Sequence, residues 1–324
     1  MKRFWKAAAI VLAAVMSLGM LAGCGGNSAQ DSGGEGSADA GKDGYKVGVV
    51  LKSLANPFYV TMQEAIESKG PELGMEIILQ APEKETDTEK QMQIMENMIT
   101  QQVDVLVLTP NGSTELAPAV KKCNDAGIPV VVVDTRLDDA AMEENGATTI
   151  SFIGSDNYFG GQVAAEEMKK AIGEGKVAIL EGVSGHESSV NRVNGFTDKA
   201  GELGGMEIVA SQPADWDQEK GYTVFQNILQ ANPDIVGLFA ANDLMALGAV
   251  KAIEDAGLGD QITVIGFDGT DDAKDAINAG KMLGSIAQSP ADMGVTALEA
   301  ALSYLTTGSC EEDIAVEVYM LTAE

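Results

Sequence analysis

The chain contains few of the side chains on which metal sites and nucleophilic enzymes depend. It has one histidine, His186, and three cysteines, Cys24, Cys123 and Cys310. One histidine gives little support to a zinc site or a histidine-dependent triad, and the cysteine spacing suggests no redox or metal pair. We therefore expect Cys123 and Cys310 to be unpaired thiols, with a disulfide between them as the alternative. The sequence also lacks the Gly-x-x-x-x-Gly-Lys-Ser/Thr phosphate loop, and we expect neither a metal nor a cofactor.

Basic residues are scarce as well. The chain has 21 lysine and arginine residues against 49 aspartate and glutamate residues, so its formal net charge is -28. Nucleic acid is not an expected partner, because phosphate binding needs a basic surface. The acidity is consistent with solubility and with repulsion from anionic membrane surfaces.

The N-terminal segment has the order of a secretory signal. Basic residues come first, an apolar run from Ala7 to Ala22 follows, and small residues precede Cys24. The run is short for a membrane span. A cysteine at this position resembles the cleavage site of bacterial lipoproteins, which predicts a signal peptide over residues 1–23 and diacylglycerol on the Cys24 sulfur. Because two acyl chains anchor stably, we expect an extracytoplasmic protein tethered to the cell membrane. The alternative is a plain secretory signal with an incidental cysteine.

Residues 24–44 are predicted to form a flexible tether behind the lipidated cysteine. The segment is rich in glycine, serine and acidic residues and contains almost nothing apolar. Such a composition cannot bury enough surface to offset the entropy of ordering. The remaining residues, about 280, suffice for two domains of ordinary size.

From Tyr45 onward, short β-branched runs alternate with amphipathic helical patterns. This alternation predicts an α/β fold with parallel sheets covered on both faces, and ten strands fit two doubly wound sheets better than one. The candidate strands are Lys46–Leu51, Glu76–Gln80, Val103–Leu108, Val130–Val133, Ile150–Ile153, Lys176–Leu180, Glu207–Ala210, Ile235–Phe239, Thr263–Gly266 and Leu283–Ala287.

Polar and aromatic side chains follow the strands at the points where the strands end. Ligands of open parallel sheets bind outside the carboxyl ends of the strands, so these residues are the candidate binding site. They supply carboxylates, amides, cations and rings, a combination that suits a neutral polyhydroxylated ligand. The candidates are Lys52, Asn56, Phe58, Tyr59, Asp134, Arg192, Trp216, Asn242, Asp268 and Gln288.

Each candidate taken alone also has a purely structural explanation. Asparagines and aspartates at these positions are typical helix caps. Phe58 and Tyr59 could belong to the core, Arg192 could be an exposed helix charge, and Trp216 could serve domain packing. Their shared placement at strand ends favours a common site over these separate explanations.

Several blocks in order resemble the periplasmic sugar-binding proteins of the ribose and allose class. The blocks are Val49–Val60, Ala210–Asp217, Ala241–Ala249, Phe267–Thr270 and Ile286–Pro290, and the resemblance spans roughly residues 45–305. It implies a type I periplasmic binding protein with two α/β lobes joined by three chain crossings and sugar in the cleft. The N-terminal lobe would comprise residues 45–155 plus 289–312, and the C-terminal lobe residues 156–288 plus 313–324.

The resemblance also implies the ligand contacts and narrows the branch. The N-terminal lobe would contribute the first five candidates, which are Lys52, Asn56, Phe58, Tyr59 and Asp134. The C-terminal lobe and the hinge would contribute the other five, which are Arg192, Trp216, Asn242, Asp268 and Gln288. Lys52 with Trp216 resembles the allose branch more than the ribose branch. Thr135 stands where the ribose branch has an arginine, and Tyr59 replaces the aromatic usual in either branch.

The implied function is that of a monomeric substrate-binding lipoprotein of an ABC importer. It would capture an allose-like or ribose-like monosaccharide and deliver it to the permease and its ATPase, and it would not be an enzyme. One alternative is a sensing subunit for a sugar or a furanosyl signal in a chemoreceptor or kinase system. Another is a glycosidase that uses Asp134 and Asp268 as paired carboxylates. No DNA-binding segment is seen before residue 45, so we do not expect a repressor.

Overall fold

Two six-stranded sheets form the core of the protein. The structure is a computed structural model that describes residues 44–259 and 261–323, so the predicted signal peptide, Cys24 and nearly all of the tether lie outside the described residues. From one edge to the other, the first sheet contains β2 (Met75–Gln80), β1 (Tyr45–Val50), β3 (Val105–Leu108), β4 (Val130–Val133), β5 (Ser151–Ser155) and β11 (Asp313–Val316). All neighbouring strands of this sheet pair in parallel.

The second sheet has the same strand order with one antiparallel edge. It contains β7 (Met206–Pro213), β6 (Gly175–Glu181), β8 (Ile235–Ala240), β9 (Thr263–Asp268), β10 (Gly284–Ala287) and β12 (Tyr319–Leu321). The strand β12 runs antiparallel to β10, and the other pairs are parallel.

Helices cover both faces of each sheet. The helices beside the first sheet are α1 (Pro57–Glu72), α2 (Thr88–Thr100), α3 (Ala117–Asp125), α4 (Asp139–Asn145) and α10 (Pro290–Thr307). Those beside the second are α5 (Asn157–Ile172), α6 (Glu187–Leu203), α7 (Gln218–Ala231), α8 (Asp243–Asp255) and α9 (Asp271–Asn278). We call the first sheet with its helices the first lobe, and the second sheet with its helices the second lobe.

The two layers of helices follow from the burial of the strands on both faces. In β4 the sequence is four valines, all buried; Val131 and Val133 pack with α1 and α10, whereas Val130 and Val132 pack with α2 and α3. Side chains alternate between the two faces of a strand, so a strand that is apolar at every position needs a cover on both sides. The second sheet repeats the pattern, with α7 and α8 on one face and α5 and α6 on the other.

The chain passes between the lobes three times. It crosses from β5 to α5, from β10 to α10, and from β11 to β12. The α/β fold with two doubly wound lobes and a three-crossing hinge is thereby confirmed. Among the described residues, no helix combines the length and the hydropathy that a membrane span requires.

One part of the predicted lobe assignment is wrong. Residues 313–316 were placed with the C-terminal lobe, but they form β11, which pairs with β5 of the first sheet. Only β12 lies with the second sheet. Both strands are short and contain no fully buried residue, so neither has the long apolar run that identifies the inner strands. The ten predicted strands all occur, and Cys123 and Cys310 are free thiols as expected.

Candidate functional site

A small cavity lies between the two lobes at the carboxyl ends of their strands. Nine of the ten predicted residues line it, together with two residues that were not predicted. The lining comprises Lys52, Asn56, Phe58, Tyr59, Glu85, Asp134, Ser188, Arg192, Trp216, Asn242 and Asp268. The tertiary structure therefore brings together side chains that are separated by more than two hundred positions in the sequence.

The first-lobe wall is built around the carboxylate of Asp134. Its Oδ2 accepts hydrogen bonds from Lys52 Nζ at 2.9 Å, Tyr59 OH at 3.0 Å and Thr135 Oγ1 at 2.9 Å. Burial by itself would raise the pKa of Asp134, but the charges of Lys52 and Arg192 hold that pKa below its usual value. Asp134 is therefore ionised, and the three groups that donate to its Oδ2 all belong to its own lobe.

Lys52 is buried to an unusual degree for a lysine. Its side chain is 1% exposed, and its Nζ donates to Thr135 Oγ1 at 2.6 Å in addition to the ion pair with Asp134. A buried lysine is costly unless it is paired and hydrogen-bonded, and both conditions are met here. The position directly after β1 aims the ammonium group at the carboxyl end of β4, two strands away.

The second-lobe wall is built around Arg192. This residue lies on α6, is 4% exposed, and stacks its guanidinium 3.8 Å over the Phe267 ring. Its Nε donates to Asn157 Oδ1 at 2.8 Å and its Nη1 to the Ala241 carbonyl at 2.7 Å. Nη1 also lies 3.4 Å from Asp268 Oδ1, a longer and weaker ion pair than that of the first lobe. The alternative that Arg192 is an exposed helix charge is wrong.

Asp268 differs from Asp134 in its electrostatics. Burial raises the pKa of Asp268 well above its usual value, although the Arg192 charge acts in the other direction. Gln288 is not among the residues that line the cavity, but its Nε2 donates to Asp268 Oδ1 at 2.8 Å. Both carboxylates occupy left-handed backbone, with φ of 70° at Asp134 and 120° at Asp268. Such strain at the ends of strands is typical of functional sites.

Trp216 forms a flat wall of the second lobe. The residue is 5% exposed and has a φ of 63°, after 52° at Asp215. Its ring lies directly on the backbone of Gly182, where a Cβ atom would stand 2.0 Å from the ring. Its Nε1 donates to His186 Nδ1 at 3.2 Å. Glycine is therefore required at position 182 for the ring to lie where it does.

The two asparagines cap helices and line the cavity at once. Asn56 Oδ1 accepts from the Phe58 amide at 3.0 Å at the start of α1, and Asn242 Oδ1 accepts from the Met245 amide at 2.9 Å at the start of α8. Asn56 Nδ2 is directed to Glu85 Oε1 at 2.9 Å. The two explanations offered for these residues are thus compatible, since capping holds the amide in place.

The alternative structural roles of the other candidates are settled by the contacts. Asp134 and Asp268 are not helix caps, because Asp138 caps α4 and Thr270 caps α9. Phe58 and Tyr59 belong to the first-lobe core and also line the cavity, with their rings edge to face at 5.1 Å. Burial, followed by the Asp134 charge, raises the pKa of Tyr59 well above its usual value.

Glu85 and Ser188 are lining residues that the sequence analysis missed. Glu85 lies in the loop after β2, which is a strand end like the others and could have been found by the same rule. Burial raises its pKa, against the opposing charge of Lys52. Ser188 lies in the first turn of α6. Its Oγ is 3.0 Å from Thr135 Oγ1, a direct contact between the lobes.

The donor set of the cavity is not that of a metal site. Within the described ranges, no group of three or more histidine, cysteine, aspartate or glutamate side chains is arranged to hold a metal ion. The cavity instead alternates acceptors, donors and rings, which is an arrangement suited to hydroxyl groups.

Comparisons with known proteins agree with this geometry. The family model for the periplasmic binding protein domain matches residues 47–309. The chain is 38% identical over 261 residues to the ribose import binding protein of Bacillus subtilis (strain 168), covering 80% of this chain and 81% of that protein. It is 36% identical over 253 residues to the D-allose-binding periplasmic protein of Escherichia coli (strain K12), covering 78% and 81%.

A solved structure resembles the fold over nearly its full length. It is an ABC transporter periplasmic solute binding protein from Actinobacillus succinogenes 130z with bound D-allose, with a TM-score of 0.81 and 37% identity. The match covers 86% of this chain and 97% of that one. With the family model and the relatives matching over most of its length, this chain belongs to the periplasmic sugar-binding proteins of the ribose and allose class, a family of transport proteins rather than enzymes.

Proposed function

We propose that this protein binds one monosaccharide, allose-like or ribose-like, between its lobes and delivers it to the permease of an ABC importer. The observation that carries the proposal is the cavity lining, in which both lobes contribute carboxylates, amides, a cation and aromatic rings. Carboxylates and amides bond neighbouring hydroxyl groups, and rings pack on the apolar C–H face of a sugar. The relatives named for ribose and D-allose support the same class of ligand here.

The charge of the cavity favours a neutral ligand. Lys52 stands beside Asp134 and Arg192 beside Asp268, so the charges largely compensate one another. A phosphorylated ligand would meet three carboxylates and only two cations, which disfavours it.

Lobe closure is the proposed signal to the permease. The Glu187 amide donates to Ser113 Oγ at 3.1 Å, and Thr135 lies against Ser188, so the lobes contact each other beside the cavity. A ligand that bonds both lobes binds the closed arrangement more tightly than a separated one, and only this difference shifts the population. We expect hinge bending at the three crossings and a smaller radius of gyration with sugar in small-angle scattering. Identical profiles at saturating sugar would count against closure.

Calorimetric titration tests the ligand class. We expect one-to-one binding of D-allose or D-ribose by the full chain. Arg192→Ala should weaken it at least about 30-fold, because truncation of one partner of a buried charge pair costs about 2–5 kcal/mol. Lys199→Ala, on the same helix but paired with Glu166 and Glu202 outside the cavity, is the matched control. Absence of binding by any aldose would overturn the proposal.

Delivery and anchoring need cellular tests. Deletion of the gene should abolish uptake of the labelled sugar, and the wild-type gene should restore uptake where Arg192→Ala does not.

Membership of a periplasmic binding protein family implies an extracytoplasmic location. We further propose a lipid anchor on Cys24, so Cys24→Ala should release the protein from membranes or leave an uncleaved precursor. Normal processing with unchanged membrane retention would refute the anchor.

A further inference from the structure

The only histidine of the chain lies where the second lobe meets the first. His186 directly precedes α6 and is 3% exposed. Its side chain does not cap the helix; the first amide of α6 instead donates across the lobes to Ser113 Oγ. The imidazole is therefore enclosed by a contact that exists only while the lobes are together.

The hydrogen bonds of this imidazole require its neutral form. Trp216 Nε1 donates to His186 Nδ1 at 3.2 Å, so Nδ1 carries no proton. On the first-lobe side, the backbone of Asn111 acts on the ring as a hydrogen-bond acceptor. A neutral imidazole with its proton on Nε2 satisfies both neighbours, whereas an imidazolium would place a second donor against the indole N–H.

Burial and the charge of Lys52 also favour the neutral imidazole. Lys52, Asp134 and Asp215 face the imidazole, and Glu187 follows it in the chain. Burial first, and the Lys52 charge second, lower the pKa of His186 to about 3, although the two aspartates act against this. A cation at the start of α6 would also oppose the positive end of the helix dipole.

We propose that neutral His186 holds the indole of Trp216 in place and that its protonation opposes closure of the lobes, so that acid weakens sugar binding. This inference rests on the proposed function. When the lobes separate, His186 loses its first-lobe neighbours Asn111, Lys52 and Asp134 and meets water. Contact with water removes the burial that lowers the pKa of the imidazole, so this pKa rises toward its usual value.

The sign of the pH effect follows from these two states. A group whose pKa is lowered in the closed state favours closure fully above the open-state value, and this contribution is lost as the pH falls toward the closed-state value. Between pH 7.5 and pH 5.0 the expected loss of sugar affinity is about 10- to 30-fold. Glu187 at the same contact has a pKa raised by burial, so acid favours closure through that group. A variant is therefore needed to isolate the imidazole.

His186→Asn is that variant, since its amide oxygen replaces Nδ1 as the acceptor and it does not titrate. Affinity is measured by calorimetry on the full chain, without a histidine tag, for whichever of D-allose and D-ribose binds more tightly at pH 7.5. We expect the wild-type affinity to fall about 10- to 30-fold by pH 5.0 and that of His186→Asn to fall less than about threefold. Equal pH profiles in the two proteins would overturn the inference.

A sugar-free measurement keeps the inference separate from the proposed function. In proton NMR, the Trp216 indole N–H, assigned by its loss in Trp216→Phe, should shift in step with the single imidazole titration in the wild type and remain constant in His186→Asn. An indole signal that ignores the imidazole titration would overturn the role of His186. If neither sugar binds at pH 7.5, the proposed function fails, and the indole titration still decides this inference.

Discussion

The two walls of the cavity are built from the same parts and behave differently. Each has a carboxylate at a strand end in strained backbone and a buried cation beside it. In the first lobe the ion pair is 2.9 Å long and two hydroxyl groups also donate to Asp134. In the second lobe the pair is 3.4 Å long, and Arg192 also donates to Asn157 and to the Ala241 carbonyl.

This difference shows which carboxylate has enough hydrogen-bond donors without a ligand. The pKa of Asp134 is held low by its partners, whereas burial raises that of Asp268 well above its usual value. A carboxylate with too few donors is stabilised when new donors arrive. The first-lobe wall is thus preformed, and the second-lobe wall gains most from the hydroxyl groups of a sugar.

The largest expected effect comes from breaking the first-lobe ion pair. Lys52→Met leaves Asp134 buried without its cation, so the sugar-free protein should lose about 3–5 kcal/mol of unfolding free energy in urea titrations. Asp268→Asn is the matched change in the second lobe and should cost about 1 kcal/mol or less, because that carboxyl already favours its neutral form. Equal losses in the two variants would contradict the distinction between the walls.

The second prediction concerns the flat wall of the second lobe. Gly182→Ala places a Cβ atom 2.0 Å from the Trp216 ring, so the ring must move. Sugar binding should weaken by about 1–3 kcal/mol, similar to the effect of Trp216→Ala, as measured by calorimetry. Gly201→Ala is the control, since its Cβ meets nothing within 4 Å on the exposed side of α6. Unchanged binding in Gly182→Ala would show that the ring position does not matter for the ligand.

A third, smaller effect is that the stability of the protein should depend on pH in opposite directions through Asp268 and Asp134. Asp268 has a raised pKa in the folded state, so its ionised form destabilises the fold, and stability rises as the pH falls through that value. Asp268→Asn should remove this gain in stability on acidification, because the amide does not titrate. Asp134 has a lowered pKa, so its contribution is present above about pH 4 and is lost only below it. Urea titrations at several pH values check both, and parallel curves for the two variants would refute the assignment.

The smallest effect is expected at an ion pair outside the cavity. Arg136 pairs with Asp313 of β11 at 2.8 Å, but both side chains are about half exposed. Arg136→Gln should therefore cost only about 0.2–1 kcal/mol in thermal or urea unfolding. Its guanidinium also stacks 3.7 Å over the Phe152 ring, so Arg136→Lys tests the stacking with the charge retained. A loss as large as that of Lys52→Met would mean that burial does not explain the first comparison.

Most of the cavity lining could be predicted because the rule that finds it is local. Asn56, Asp134 and Asn242 follow apolar runs that are recognisable without any structure, and parallel sheets bind ligands at that edge. Glu85 obeys the same rule, since it lies in the loop that follows β2. Gln288 obeys it too, yet it contacts Asp268 and does not line the cavity, since strand-end position does not specify which way a side chain points.

The edge strands and the lobe contacts could not be predicted in this way. The strand β11 is four residues long and exposed at alternate positions, so its sheet is decided by the neighbour it finds, β5, rather than by its own composition. In the sequence, His186 and Ser188 lie in a segment rich in glycine and serine residues that has no distinctive pattern. Their importance depends on Asn111 and Thr135, which come from the other lobe.

The alternation of strands and helices, the two sheets and the residues at the strand ends follow from the sequence, because periodicity and turn residues act over a few positions. Which of those residues share a cavity, and which carboxylate has enough donors, depends on the tertiary structure. It also decided that a histidine lies sealed between the lobes. Burial and charge compensation depend on groups far apart in the chain, and the approach of the two lobes sets both.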